Sequence, residues 1–280
     1  MANQAIERHE PEFVVSDYAP IDLTVLPKDY PEKKRDSADI INFEIVGKTY
    51  RIDRFSEAIK HDPSGAIAWF NRGRAYFDAR EYRHALLDFD KAISLNRNDP
   101  RFFNGRGLAY YYQELYDDAL SEFEDIISRF GDALDPASRG QVAQALCNKG
   151  VTLNALGHQK QAIPIYDDLL NRFGQASEQT LREVVARALI NKAFALSKLG
   201  RIDLEIAVYD DVLHRYGEAS SAMMREVIAI ALHNKSLALS KLGVRDKEMA
   251  IAVCDELVAR FGDASECRAT IKVRQQRQSG

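Results

Sequence analysis

The chain has 280 residues, 46% apolar and 29% charged, enough to build a packed core under a solvated, helix-rich surface. A net charge of −4 with dispersed Lys and Arg leaves no basic footprint for nucleic acid, and no run of 18 apolar residues offers a membrane span. Cys147, Cys254 and Cys267 are odd in number and form no CxxC pair, which argues against a disulfide framework or a zinc site; with no secretory signal pattern at the start, a cytoplasmic protein is expected.

Residues 1–36 hold Pro11, Pro20, Pro27 and Pro31 with charges between them. Such a segment buries too little apolar surface to order itself alone. It is read as a flexible leader, or as an extended strap carried by Phe13, Val14, Val15, Tyr18, Ile21, Leu23 and Val25. Residues 37–65 read as a degenerate capping half-repeat. Within it, Asn42 to Ile52 alternates apolar and polar residues around Gly47-Lys48, the pattern of a short hairpin. Arg54 to Pro63 instead has the spacing of a helix. Gly47-Lys48-Thr49 is no phosphate loop, because the glycine required five places earlier is Asn42.

From residue 66 the pattern repeats every 34 residues. Trp69 is answered by Phe103, Gly73 by Gly107, Tyr76 by Tyr110, Tyr82 by Tyr116, Ala85 by Ala119 and Phe89 by Phe123. Repetition at this period signals stacked supersecondary units rather than a globule around one site. Residues 66–131 form two such units.

Over 132–262 the spacing lengthens. Arg129-Phe130-Gly131, Arg172-Phe173-Gly174, Arg215-Tyr216-Gly217 and Arg260-Phe261-Gly262 recur at intervals of 43, 43 and 45 residues. Three long units follow, each adding about nine residues before its first helix, and residues 263–280 read as a polar capping helix and tail. Gly157, Gly200 and Gly243, and likewise Gly131, Gly174, Gly217 and Gly262, are expected to end helices in the left-handed conformation that glycine adopts without strain. Gly73, Gly107, Gly150, Ala193 and Ser236 share one small-residue place where paired helices approach closely.

Trp69, Gly73, Tyr76, Ala85, Phe89 and Ala92, with their counterparts over 100–131, resemble the tetratricopeptide repeat. The long units keep the small residue, the helix-ending glycine and Tyr166 or Tyr209, and lack the Trp. The resemblance implies an all-α, right-handed α-solenoid of antiparallel helix pairs, two 34-residue units and then three of about 43, with the first helices lining a concave groove. It also implies a non-enzymatic scaffold that binds a peptide or partner protein.

Two sets of candidate peptide-binding residues follow. Asn71, Asn148, Asn191 and Asn234 occupy one repeat position, which by the resemblance faces the groove; a primary amide offers both donor and acceptor to an extended backbone. The alternative is that each amide bonds a neighbouring helix and specifies stacking. The second set is aromatic and basic: Phe70, Arg74, Phe77, Arg101, Tyr111 and Tyr112, residue types that dominate interface energetics. Tyr76, Tyr82, Tyr110 and Tyr116 are expected in the core.

A ladder of Arg72, Arg106, Lys149, Lys192 and Lys235 against Asp90, Glu124, Asp167, Asp210 and Asp255 matches opposite signs at fixed places. That favours ion pairing between helices over an anion-binding stripe. Asp167-Asp168 and Asp210-Asp211 are adjacent on a helix and diverge, so no metal is expected on them. No nucleophile–base pair, metal cluster or phosphate loop is legible, so no catalysis and no cofactor are expected. The chaperone-tail clamp of some family members needs Lys and Asn where this chain has Phe70 and Arg74, and basic groups where it has Gln144 and Asn148; it is not expected here. The expected partner is a protein or peptide, not nucleic acid and not a membrane. A regulatory or structural subunit, autoinhibited by its leader, is the alternative function.

Overall fold

A computed structural model describes residues 50–219, 221–242 and 244–261, and all of their regular structure is helical. In chain order the helices are α1 over 50–61, α2 (Ala66–Asp78), α3 (Tyr82–Leu95), α4 (Pro100–Tyr112), α5 (Tyr116–Phe130), α6 (Pro136–Ala155), α7 (Gln159–Phe173), α8 (Gln179–Lys198), α9 (Ile202–Tyr216), α10 (Ala222–Leu242) and α11 (Val244–Phe261). The expected leader (1–36) and tail (263–280), with Gly243 and Gly262, fall outside the described residues. So does most of the expected hairpin, and its last residues, Tyr50 to Ile52, begin α1 rather than a strand. Their alternation is compatible with either period over so short a stretch.

The described residues divide into two compact units, one ending at Thr152 and the other starting at Leu153. In the first, α2 packs on α3, α3 on α4 and α4 on α5, and the leading helices α2 and α4 also touch. In the second, α7 packs on α8, α8 on α9, α9 on α10 and α10 on α11, with α8 and α10 in contact. Each unit is therefore a run of antiparallel helix pairs stacked side by side, the arrangement of an α-solenoid.

The following helices are amphipathic with one stripe each. Ala119, Phe123 and Ile126 are buried on α5; Ala162, Tyr166, Leu169 and Phe173 on α7; Tyr209, Val212 and Tyr216 on α9. This spacing of three and four residues places them on one helix face. The leading helix α8 is instead buried nearly all round, from Leu181 to Leu196, because neighbours cover it on several sides. α6, α8 and α10 have 20, 20 and 21 residues against 13 for α2 and α4.

Among the described residues one turn is built four times. Arg80, Glu114, Gly157 and Gly200 have φ of 62°, 61°, 78° and 69° between the two helices of a pair. At each, the next amide donates five residues back: Glu81 to Tyr76, Leu115 to Tyr110, His158 to Leu153 and Arg201 to Leu196, at 2.8–3.0 Å. These bonds close the leading helix in a Schellman motif. The glycines at the ends of the following helices differ from expectation. Gly131, Gly174 and Gly217 are right-handed, with φ of −55°, −61° and −51°. Glycine is needed at the latter two for close approach, since a Cβ there would stand 2.3 Å from the Leu170 carbonyl oxygen or 2.4 Å from that of Leu213.

Gly73 and Gly107 do sit at the closest approach of paired helices. A Cβ would meet the Phe89 ring at 2.8 Å or the Phe123 ring at 2.6 Å. Cys147 is free and buried, whereas Cys254 takes part in a disulfide, so the odd cysteine count and the lack of a CxxC pair do not rule out a bridge.

Candidate functional site

In the first unit the contact between α2 and α4 brings most of the aromatic and basic set together. Arg74 of α2 and Arg101 of α4 both lie 5.8 Å from the centroid of Phe70. Phe70 itself is only 4% exposed, packed against Phe89 and Phe102 with ring centroids 5.8 and 5.0 Å away. At the other end of these helices Tyr112 stacks on Tyr82 at 5.5 Å and meets Phe77 edge-on at 5.3 Å. Tyr111 meets Tyr112 and Tyr116 edge-on, and burial pushes its hydroxyl up to about 12.

The partition between core and surface thus differs from the sequence reading. Phe70, Phe77 and Tyr111 are buried, while Tyr76, Tyr82, Tyr110 and Tyr116 are half-exposed. The accessible members of the set are Arg101, exposed, and Asn71, Arg74 and Tyr112, half-buried. Arg101 also forks onto the Asp99 carboxylate, with Nε 2.9 Å from Oδ1. Asp99 in turn caps α4 by accepting from the Arg101 amide at 3.0 Å.

Asn148, Asn191 and Asn234 are all buried. Among the described residues the Asn148 amide finds no hydrogen-bond partner for either its nitrogen or its oxygen. Asn234 lies beside the Tyr209 hydroxyl, which burial and the neighbouring Glu205 carboxylate push far up.

Two amides outside this series join adjacent leading helices. Asn104 donates to the backbone carbonyl and the side-chain oxygen of Gln141, both at 2.9 Å. Asn154 donates to the Tyr166 hydroxyl at 3.0 Å and to the Asn191 carbonyl at 3.2 Å. Sequence reasoning missed both. A signal was present for the second, since the places 43 and 86 residues after Asn154 are also polar, Ser197 and Ser240, within otherwise apolar stretches.

The charge ladder is structural. Lys149 pairs with Glu124 at 3.0 Å, and Lys192 with Asp167 and Lys235 with Asp210 at 2.6 Å, each joining a leading helix to the following helix of the preceding pair. Arg106 bridges Asp90 at 2.6 Å and Glu122 at 2.7 Å. The adjacent acids do point apart: Asp168 meets Arg172 at 3.6 Å and Asp211 meets Arg215 at 2.7 Å, away from the partners of Asp167 and Asp210. Among the described residues no helix is long and apolar enough to cross a membrane.

Helix pairs with a recurring left-handed turn, a small residue against a Phe ring and ion pairs between successive pairs define a repeat protein of the α-solenoid class. The chain matches models of the tetratricopeptide repeat family over residues 66–99 and 104–179. It is 33% identical over 115 residues to small glutamine-rich tetratricopeptide repeat-containing protein 2 of Saccharomyces cerevisiae, covering 38% of this chain and 32% of that one. It is 28% identical over 114 residues to human tetratricopeptide repeat protein 13, covering 40% of this chain and 13% of that one. The match therefore spans about a third or less of either relative's length. The fold is shared with PilW, a type IV pilus biogenesis factor (TM-score 0.59, 15% identity, 83% of this chain and 98% of that one). It is shared too with YrrB (TM-score 0.51, 18% identity, 78% and 97%). Proteins of this family generally mediate protein–protein interactions and are typically non-enzymatic scaffolds.

Proposed function

We propose that this chain is a non-enzymatic interaction scaffold that takes an extended segment of another protein along the inner faces of its leading helices. The observation that carries this reading is the convergence of Arg74 and Arg101 on the Phe70 ring, with the Tyr112–Tyr82 stack at the other end of the same leading helices. Guanidinium groups held over aromatic rings form a preorganised surface, and such residues contribute most of the energy at protein interfaces. YrrB, which shares the fold, is a tetratricopeptide repeat protein with an unusual peptide-binding site. On this reading Phe70, Phe77 and Tyr111 support the surface from beneath, while Asn71, Arg74, Arg101 and Tyr112 touch the ligand. Asn148, Asn191 and Asn234 are buried, so they set register only where binding opens the packing over them, and otherwise set the stacking of the leading helices.

Panning a random peptide library against the full chain and measuring the selected peptides by fluorescence anisotropy tests this. Arg74→Ala with Arg101→Ala is expected to weaken binding about tenfold or more. Unchanged affinity in that double variant sinks the site. Asn191→Ala with Asn234→Ala separates register from stacking: a lower melting temperature with an unmoved Kd makes the asparagines structural only.

A further inference from the structure

Away from the α2–α4 surface, the second unit holds a pocket of about 380 Å³ where the start of α8, the end of α9 and the start of α10 meet. Gln179 and Arg182 enter it from α8, Arg215 from α9, Glu218, Ala219 and Ser221 from the connection, and Met224 from α10. Arg215 is already committed: it pairs with Asp211 at 2.7 Å and donates to the Gly174 carbonyl at 3.0 Å. Arg182 lies over the Tyr216 ring at 5.7 Å and makes no ion pair with any described residue. Neither does Glu218, and the two do not pair with each other although they line one cavity. Ser221 stands where the preceding repeat, 43 residues earlier, carries Glu178, so the chain puts a hydroxyl here in place of a carboxylate. Arg225 lies over Phe261 at the same 5.7 Å, so the arginine's perch on the ring is a feature of the repeat.

The charges select a ligand class. Inorganic oxyanions gain from Arg182 and lose to Glu218, simple cations do the reverse, and a purely apolar molecule desolvates both charges without compensation. Arg182 and Glu218 are both exposed at the mouth of the pocket, so a ligand carrying both signs can meet the two of them there. Met224, which is buried, and Ala219 supply an apolar wall beside the charged groups. Gln179 spends its amide nitrogen on Glu183 at 3.0 Å, which leaves its side-chain oxygen to accept from a ligand N–H. We propose that this pocket binds a free α-amino acid with an apolar side chain, its carboxylate on Arg182, its ammonium on Glu218 and its side chain against Met224 and Ala219.

Isothermal titration of the full chain with L-leucine and L-methionine tests this, beside N-acetyl-L-leucine, L-leucine methyl ester and inorganic phosphate. Saturable binding of a free amino acid is expected, weaker by about tenfold or more for both blocked derivatives and undetectable for phosphate. Arg182→Gln and Glu218→Gln should each abolish it; Glu218→Gln alone decides if loss of the Tyr216 stacking unfolds the other. No binding of either amino acid at millimolar concentration overturns the proposal. Unchanged affinity in Glu218→Gln, or equal affinity for the N-acetyl derivative, overturns it as well, the latter pointing to a polypeptide end rather than a free amino acid.

Discussion

The guanidinium of Arg215 donates to the carbonyl oxygen of Gly174 at 3.0 Å, across 41 residues of chain. Arg129 does the same to the Arg97 carbonyl at 2.6 Å, and Arg260 to the Gly217 carbonyl. In each case the arginine that ends one following helix satisfies a carbonyl just beyond the end of the previous one, where the helix itself provides no donor. The Arg-aromatic-Gly triplets that begin at Arg129, Arg215 and Arg260 are thus clasps between successive helix pairs. Arg215→Ala is expected to cost about 1–2 kcal/mol, the worth of a partly exposed charge-assisted bond, read as a lower urea midpoint. Arg215→Lys should recover only part of it, because a single ammonium cannot keep both the Asp211 and the Gly174 geometry.

The four left-handed turns give a second expectation. Arg80 and Glu114 hold φ near +60° with side chains that disfavour it, where Gly157 and Gly200 do so freely. Arg80→Gly and Glu114→Gly should each stabilise the protein by up to about 1 kcal/mol, a gain from relieved strain partly offset by unfolded-state entropy. Gly157→Ala should destabilise by a similar amount although nothing lies within 4 Å of the added carbon. Gly107→Ala tests the opposite cause: the backbone accepts alanine, but its Cβ meets the Phe123 ring, and a cost of about 1–3 kcal/mol is expected, eased by Phe123→Leu. Thermal melts of the four single variants, and of Gly107→Ala combined with Phe123→Leu, check the set.

Period and class were legible because a stacked repeat imposes the same apolar spacing on every copy; Phe89, Phe123, Tyr166 and Tyr209 fill the same hole in successive pairs. The ion-pair ladder was legible for the same reason, since matched signs at fixed intervals leave few other arrangements. The backbone at Gly131, Gly174 and Gly217 was not, because a glycine after a helix signals either handedness or crowding and only coordinates separate the two. The exchange of roles between Phe70 and Tyr76 was hidden as well. Both are aromatic within two turns of one helix, and which one faces the neighbour depends on a rotation that repeat spacing leaves open. The Arg182–Glu218 pocket gathers residues from three helices and a connection, so no local pattern announces it.

Arg72 grips Asp88 with two bonds of 2.7 Å, Nε to Oδ2 and Nη2 to Oδ1, and lies 4.7 Å over Trp69. The Asp88 side chain is 5% exposed. Removing one partner of so buried a pair strands the other charge, so Asp88→Ala should cost about 2–4 kcal/mol. Lys60 and Glu57 form an equally short pair on the surface, both more than half exposed. Glu57→Ala is expected to leave the denaturation midpoint unchanged, and a double-mutant cycle on each pair measures the contrast.

Glu205 occupies the place that Ala85, Ala119 and Ala162 fill in the other pairs, and it is 1% exposed. Burial pushes its carboxyl above the ordinary 4.5, with Lys241, Ser197 and Tyr209 only partly opposing the shift. A carboxyl raised in the folded state binds its proton more tightly there than in the unfolded chain. Its burial is therefore unpenalised below the ordinary value, and stability is lost as pH rises through the window from about 4.5 to the raised value. Glu205→Gln removes the charge and keeps the hydrogen-bonding shape. At neutral pH it should be more stable than the parent by about 1–3 kcal/mol. That advantage should shrink toward zero as the buffer is taken below the ordinary carboxylate range. Urea denaturation of both proteins across that range reads the difference directly. A gap that stays constant with pH would mean the carboxyl titrates as it does in the unfolded chain.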